Sequence, residues 1–211
     1  MPEQSHYFDA DPASPARTRT LRVRLAGQDV EVQSASGVFS GDRLDLGTSV
    51  LFREVPDPPE SGTLLDLGCG WGPIALTMAL LSPEAEVLAV DINRRSRELT
   101  ALNAQALAPG RVQVAAPEEV DPATTFEAIW SNPPIRIGKA ALHELLMTWL
   151  PRLAPGGDAY LVVARNLGAD SLQTWLTGAL GTPFEVTRHA SAKGFRILRV
   201  HRHESPPSHP A

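Results

Sequence analysis

From residue 62 the chain alternates short apolar runs with longer amphipathic ones, and no other feature restricts its fold as tightly. The short runs are TLLDLG, AEVLAVDIN, RVQVAA, TFEAIWS and GDAYLVVAR. Between most of them lie stretches with helical character: GPIALTMALLS, RRSRELTALNAQALA, KAALHELLMTWLPRL and, after the fifth strand, SLQTWLTGAL. Pro73 falls in the first turn of the first helix, where its missing N–H costs nothing, and Pro-Gly ends the second. Strands alternating with helices require a parallel sheet covered on both faces. The last two runs, FEVTRHAS and GFRILRVHR, are joined around Ser191–Lys193 too tightly for a crossover, so they pair antiparallel. The expected fold is α/β: a Rossmann-like, seven-stranded, mostly parallel sheet with a C-terminal antiparallel hairpin. Ligands of such sheets bind beyond the carboxyl ends of the strands.

The chain upstream is different. TLRVRLAGQDVEVQS alternates apolar and polar residues around Gly27-Gln28-Asp29, the pattern of a β-hairpin. A glycine-rich stretch and the proline-dense PDPPE follow. The expected organisation is a flexible N-terminus (1–18), a small β-rich N-terminal extension (19–58), the main domain (59–203) and a disordered tail (204–211). The histidines of that tail read as solvated, and no metal site is expected. No apolar run is long enough to cross a bilayer, and the first residues carry no apolar signal core, so a cytoplasmic location is expected. The single cysteine, Cys69, excludes an internal disulfide framework and fits a reducing compartment. It lies between two glycines with no evident base partner, so it reads as a tolerated small residue rather than a nucleophile.

LLDLGCGWGP puts Gly68, Gly70 and Gly72 directly after the first strand of the main domain. A dinucleotide fingerprint needs glycine three residues beyond Gly70, and Pro73 stands there; the Gly-Lys-Ser/Thr ending of a phosphate loop is also absent. The glycines still allow a ligand to approach the backbone. Asp91 ends the second strand, where a carboxylate can accept both hydroxyls of a ribose. A ribose-binding acid beside a glycine loop without phosphate machinery points to a nucleoside ligand, and S-adenosylmethionine fits. Asp66 would sit near the ligand's ammonium or order the loop. Glu118 and Glu119, after the third strand, are either an adenine contact or a solvated pair.

WSNPPIRIGK follows the fourth strand. Pro133 and Pro134 donate no backbone hydrogen bonds, fix their own φ, and hold the residues before them extended. Asn132 is thus presented on a stiff turn. In this order, LDLGCGWGP, AVDIN and SNPPIRIGK resemble the class I S-adenosylmethionine-dependent methyltransferases. More narrowly they resemble the short, single-domain members of the bacterial family that methylates guanine N2 in small-subunit ribosomal RNA. HYFDADPAS, GVFSGDRLDLGT, LGADS and KGFRIL extend the likeness over nearly the whole chain. The resemblance implies the class I methyltransferase sheet and S-adenosylmethionine as cofactor, held by Asp66, Gly68, Cys69, Gly70, Asp91, Ile92 and Asn132. It also implies that GVFSGDRLDLGT closes over the cofactor, with Phe39, Asp42 and Thr48 as the residues of interest, and that ribosomal RNA or the small ribosomal subunit is the partner.

An exocyclic amino group is a poor nucleophile, because its lone pair is delocalised into the ring. Methyl transfer to it needs in-line approach and acceptors placed in advance for its N–H bonds as positive charge builds. Asn132 offers its side-chain oxygen and Pro133 its carbonyl, with Pro134 completing the rigid catalytic bracket. Relatives often place an aromatic residue after the second proline; here it is Ile135, expected at the substrate, so stacking on the base would come from elsewhere, with Phe39 and Trp71 as candidates, or be replaced by apolar contact. Arg136 and Lys139 sit where the next helix begins and oppose its macrodipole, at roughly 0.3–1 kcal/mol each. A broken local rule beside the reacting group suggests substrate binding, here to an RNA phosphate. His143 reads as structural. The net charge of −5 argues against long-range attraction of nucleic acid. Two basic clusters, Arg94/Arg95/Arg97 and the run Arg188, Lys193, Arg196, Arg199, Arg202, each read alone as ordinary surface. The same turn occurs in glutamine-amide and adenine-N6 methyltransferases, and a non-catalytic cofactor-binding module that assists ribosome assembly is a third alternative.

Overall fold

The computed structural model describes residues 17–204. Of the expected flexible termini, 1–16 and 205–211 lie outside the described residues, while Thr18 already begins a strand. Strands β1 (Thr18–Leu25) and β2 (Gln28–Ala35) form a separate antiparallel ribbon. Its turn is Ala26-Gly27, one residue earlier than expected, with both residues at positive φ (47° and 76°), the backbone that matches the twist of a two-residue hairpin.

The main sheet contains β3 (Ser61–Leu67), β4 (Glu84–Val90), β5 (Val112–Ala115), β6 (Phe126–Ser131), β7 (Leu153–Ala164), β8 (Phe184–Ala192) and β9 (Phe195–Arg202). Their order is β5-β4-β3-β6-β7-β9-β8; the first five are parallel, as the alternation requires, and β9 runs antiparallel to both neighbours. Helices α2 (Pro73–Leu81) and α3 (Arg94–Leu107) follow β3 and β4; α4 (Lys139–Trp149) and α5 (Ala169–Leu180) follow β6 and β7. Successive strand residues point to opposite faces, so Leu64 packs with Ala75 and Met78 of α2, and Leu65 with Leu146 and Leu172 of α4 and α5. No helix among the described residues is long and apolar enough to cross a membrane.

The expected β-rich extension is half helical. Helix α1 (Leu46–Glu54) occupies its second part and buries Val50 and Leu51 against the α2 face of the main sheet. Asp45 starts it as N-cap, accepting from the Thr48 N–H at 3.1 Å. Gly47, in the first turn of this helix, is fixed by packing: a Cβ there would lie 2.9 Å from the Phe195 ring. The ribbon itself rests on α2 and α3, with Leu25 and Val32 against Trp71, Leu76 and Leu99. Asn103 pins it by accepting from Gln33 N–H (2.7 Å) and donating to the carbonyls of Gln33 (2.8 Å) and Trp71 (2.9 Å).

Candidate active site

The strand order reverses between β3 and β6, so their following loops diverge and leave a crevice. A cavity of about 820 Å³ lies there, walled by Gly68, Gly70, Asp91, Ile92 and the Asn132–Ile137 turn. Phe39, Ser40 and Asp45 close one side; Ala164, Asn166, Leu167 and Phe195 close another.

The loop after β3 is held by its neighbour strand. Gly68 and Cys69 donate to the Val90 carbonyl (2.8 and 3.0 Å), and Gly70 N–H donates to Asp91 Oδ2 (2.9 Å). Asp91 Oδ1 accepts from Asn93 N–H at 2.8 Å. Burial pushes the Asp91 pKa upward, against these hydrogen bonds. The Ser96 side chain also hydrogen-bonds this carboxylate, which still keeps a lone pair free for a ligand. Gly68 stands at φ +83°, and a Cβ on it would meet only open space. The wall therefore combines an open backbone cradle, a carboxylate with acceptor capacity left, and the half-exposed apolar side chain of Ile92. Among the residues lining the cavity the only cation is Arg136, on the far turn. These residues suit S-adenosylmethionine, whose ribose needs an acceptor pair and which brings no phosphate.

Two residues expected at the cofactor turn elsewhere. Asp66 is fully buried; Oδ2 accepts from Ala75 N–H at 2.9 Å in the first turn of α2, and Oδ1 has no hydrogen-bond partner. Burial raises its pKa to about 8. Its position is that of an acid ordering the loop, off the cavity wall. Cys69 points into the core, its Sγ accepting from the Thr100 hydroxyl at 3.4 Å, and burial raises the thiol well above its ordinary value, which removes any nucleophilic role. Glu118 and Glu119 are both off the wall, and Glu119 closes a cap on Ala116 N–H (2.7 Å); Pro117 lines the cavity instead.

Asn132 lines the cavity at the end of β6. Its Nδ2 donates to Asp45 Oδ2 (2.8 Å) and to the Thr48 hydroxyl (3.1 Å). Both amide hydrogens are committed, so Oδ1 is left as the free acceptor of the side chain. Pro134, at φ −75° and ψ 74°, centres an inverse γ-turn in which Ile135 N–H donates to the Pro133 carbonyl at 2.8 Å. That carbonyl retains one lone pair. Ile135 and Arg136 line the cavity; Lys139 is exposed as the first residue of α4 and stands off it.

Of the residues expected in the N-terminal stretch, Phe39 is 40% exposed and on the wall, and Thr48 is buried against Asn132. Asp42 is off the wall, and Asp45 takes the place expected for it. An Asp directly before an apolar run is an N-cap signal and could have revealed Asp45. Trp71 is buried under the ribbon and cannot stack on a base. Phe195 lines the cavity and escaped the sequence reading, because an aromatic opening an apolar strand carries no local signal. His143 stacks on Trp175 (3.4 Å between ring centroids) between α4 and α5, a structural contact.

The strand order, the glycine loop, the acid ending β4 and the Asn-Pro-Pro turn after β6 define a class I S-adenosylmethionine-dependent methyltransferase. Residues 29–199 match the methyltransferase small domain family, and the chain belongs to it. It is 33% identical to the uncharacterized protein YbxB of Bacillus subtilis over 198 residues, covering 92% of this chain and 97% of that one. It is 33% identical over 206 residues to the ribosomal RNA small subunit methyltransferase C of Pseudomonas entomophila, covering 92% of this chain but 58% of that relative. Among solved structures, the T. thermophilus 16S rRNA N2 methyltransferase RsmC, in complex with AdoMet and guanosine, shares the fold. Its TM-score is 0.72 at 24% identity, over 90% of this chain and 52% of that one.

Proposed function

We propose that this chain transfers a methyl group from S-adenosylmethionine to guanine N2 of small-subunit ribosomal RNA. The observation that carries the reading is the Asn132 amide, whose two hydrogens are both spent on Asp45 and Thr48. Its oxygen is thereby fixed as an acceptor beside the Pro133 carbonyl. Two acceptors on a rigid turn can hold both N–H bonds of a planar amino group and direct its lone pair. When bound, the cofactor would supply an electrophilic methyl on its sulfonium, with the thioether as the leaving group when the N–C bond forms. The resulting cationic amine is acidic enough to release its proton to water, so no tuned general base is needed. Gly68, Gly70, Asp91 and Ile92 would hold the cofactor, and Asn132, also expected among its contacts, would serve the amine instead. Phe39 and Phe195 supply the aromatic surface that Ile135 does not.

The charge layout favours RNA over a protein amide. Arg43, Arg136, Lys139, Arg165 and Lys193 come from four loops at the carboxyl edge of the sheet; all are exposed, and none forms an ion pair among the described residues. The other basic clusters are largely spent internally. Arg97 donates to the carbonyls of Asp91 and Ile92, Arg188 and Arg196 pair with Asp170, and Arg199 pairs with Asp158. A rim of exposed cations, of which Arg165 alone feels a nearby acid in Asp170, suits phosphates flanking a base drawn into the cavity. The partner is then ribosomal RNA or the small subunit, and the location cytoplasmic. Incubation with labelled S-adenosylmethionine, followed by separation of total RNA, DNA and protein, tests the substrate. Label in small-subunit RNA, recovered as N2-methylguanosine, is expected; label confined to protein or DNA overturns the choice.

A further inference from the structure

We infer that Asp45 is a positioning residue for methyl transfer: it holds the Asn132 amide in the one orientation that presents oxygen to the substrate. An asparagine amide can flip, and the flipped form would offer N–H donors to an amino group that is itself a donor. Such a flip replaces attraction with repulsion at the reacting nitrogen. Three contacts oppose it. Asp45 Oδ2 accepts from Asn132 Nδ2 at 2.8 Å; Thr48 Oγ1 accepts from the same nitrogen at 3.1 Å; and Thr48 N–H donates back to Asp45 Oδ2 at 3.1 Å. The carboxylate is the stronger acceptor of the two, and its charge strengthens the bond. Because Asp45 is also the N-cap of α1, and α1 is packed on the main sheet through Val50 and Leu51, the acceptor is anchored to the core, 87 residues away in sequence from the amide it orients. The N-terminal extension thus sets the catalytic geometry as well as walling the cavity.

This inference rests on the reading of Asn132 as the amine acceptor, and the test separates the two. Asp45→Ser keeps a capping oxygen for α1 but is too short to reach Asn132. Asp45→Asn keeps an oxygen that can serve both donors. In Asp45→Ser, kcat on small-subunit RNA should fall about 10- to 100-fold with cofactor Kd and Tm little changed, and Asp45→Asn should recover most of the loss. In an Asn132→Ala background, Asp45→Ser should add nothing, because the group it orients is gone. An equal loss in both backgrounds, or no loss in either, overturns the role of Asp45. Full activity of Asn132→Ala itself overturns the reading beneath it. A measurement without substrate gives the same decision: hydrogen exchange of the Asn132 side-chain NH2 should be slow in the wild type and fast in Asp45→Ser. Equal exchange in the two proteins contradicts the inference.

Discussion

Asp66 shows how much a single buried carboxylate can shape this site. Its oxygen tethers the start of α2, yet the second oxygen is orphaned and burial holds the pKa near 8, far above its ordinary 3.8. Folded protein then keeps this proton up to about pH 8 while unfolded chain releases it near pH 4. The folded state binds more protons across that window, so stability falls as pH rises through it. Asp91, also raised by burial, acts in the same direction. Asp66→Asn should flatten the decline, and thermal melts from pH 5 to pH 8 would show the variant gaining on the wild type with each step upward. A variant that tracks the wild type at every pH would show that Asp66 ionises freely in the fold. Residues of this kind were half legible. LDLGCG announced a loop with an acid beside it, but only the packing of α2 reveals that the acid faces the helix rather than the ligand.

Elements carry the rest of the site. The loop after β3 must run close to its ligand, and Gly68 at φ +83° allows it. Gly68→Ala should cost roughly 1–2 kcal/mol in stability, because a Cβ strains that backbone. Its methyl would also enter the cavity, so calorimetry should show cofactor affinity falling at least about tenfold; unchanged affinity would place the ligand elsewhere. At the start of α4, Arg136 and Lys139 oppose the helix dipole and meet no acid among the described residues. Replacing both with alanine should weaken RNA binding and lower the salt-dependence slope by about 1.4, two single-strand phosphate contacts at about 0.7 each. An unchanged slope would return them to ordinary surface. Strands and helices were legible because their periodicities differ. Helix α1 was not: Gly47 masks its pattern, and the reason for that glycine is the Phe195 ring, which is 148 residues distant in sequence and so absent from any local reading.

At the scale of the whole molecule, the N-terminal extension is a working part of the domain. Its ribbon covers Trp71, Leu76 and Leu99, and its helix holds Asn132 through Asp45. Asn103 joins ribbon to domain by two hydrogen bonds to Gln33, and its third goes to the Trp71 carbonyl beneath the ribbon. Asn103→Ala should cost roughly 2–4 kcal/mol and lower Tm by roughly 5–15 °C in a single transition, since the ribbon shares its core with α2 and α3. A separate early transition would mean that the ribbon melts alone. The central claim is that the Asn-Pro-Pro turn is an acceptor bracket for an amine, and one comparison tests it directly. Asn132→Ala and wild-type protein should bind S-adenosylmethionine with affinities within about threefold, while the variant loses about 100-fold or more in turnover on ribosomal RNA. A variant that binds cofactor and still methylates at the wild-type rate would contradict it.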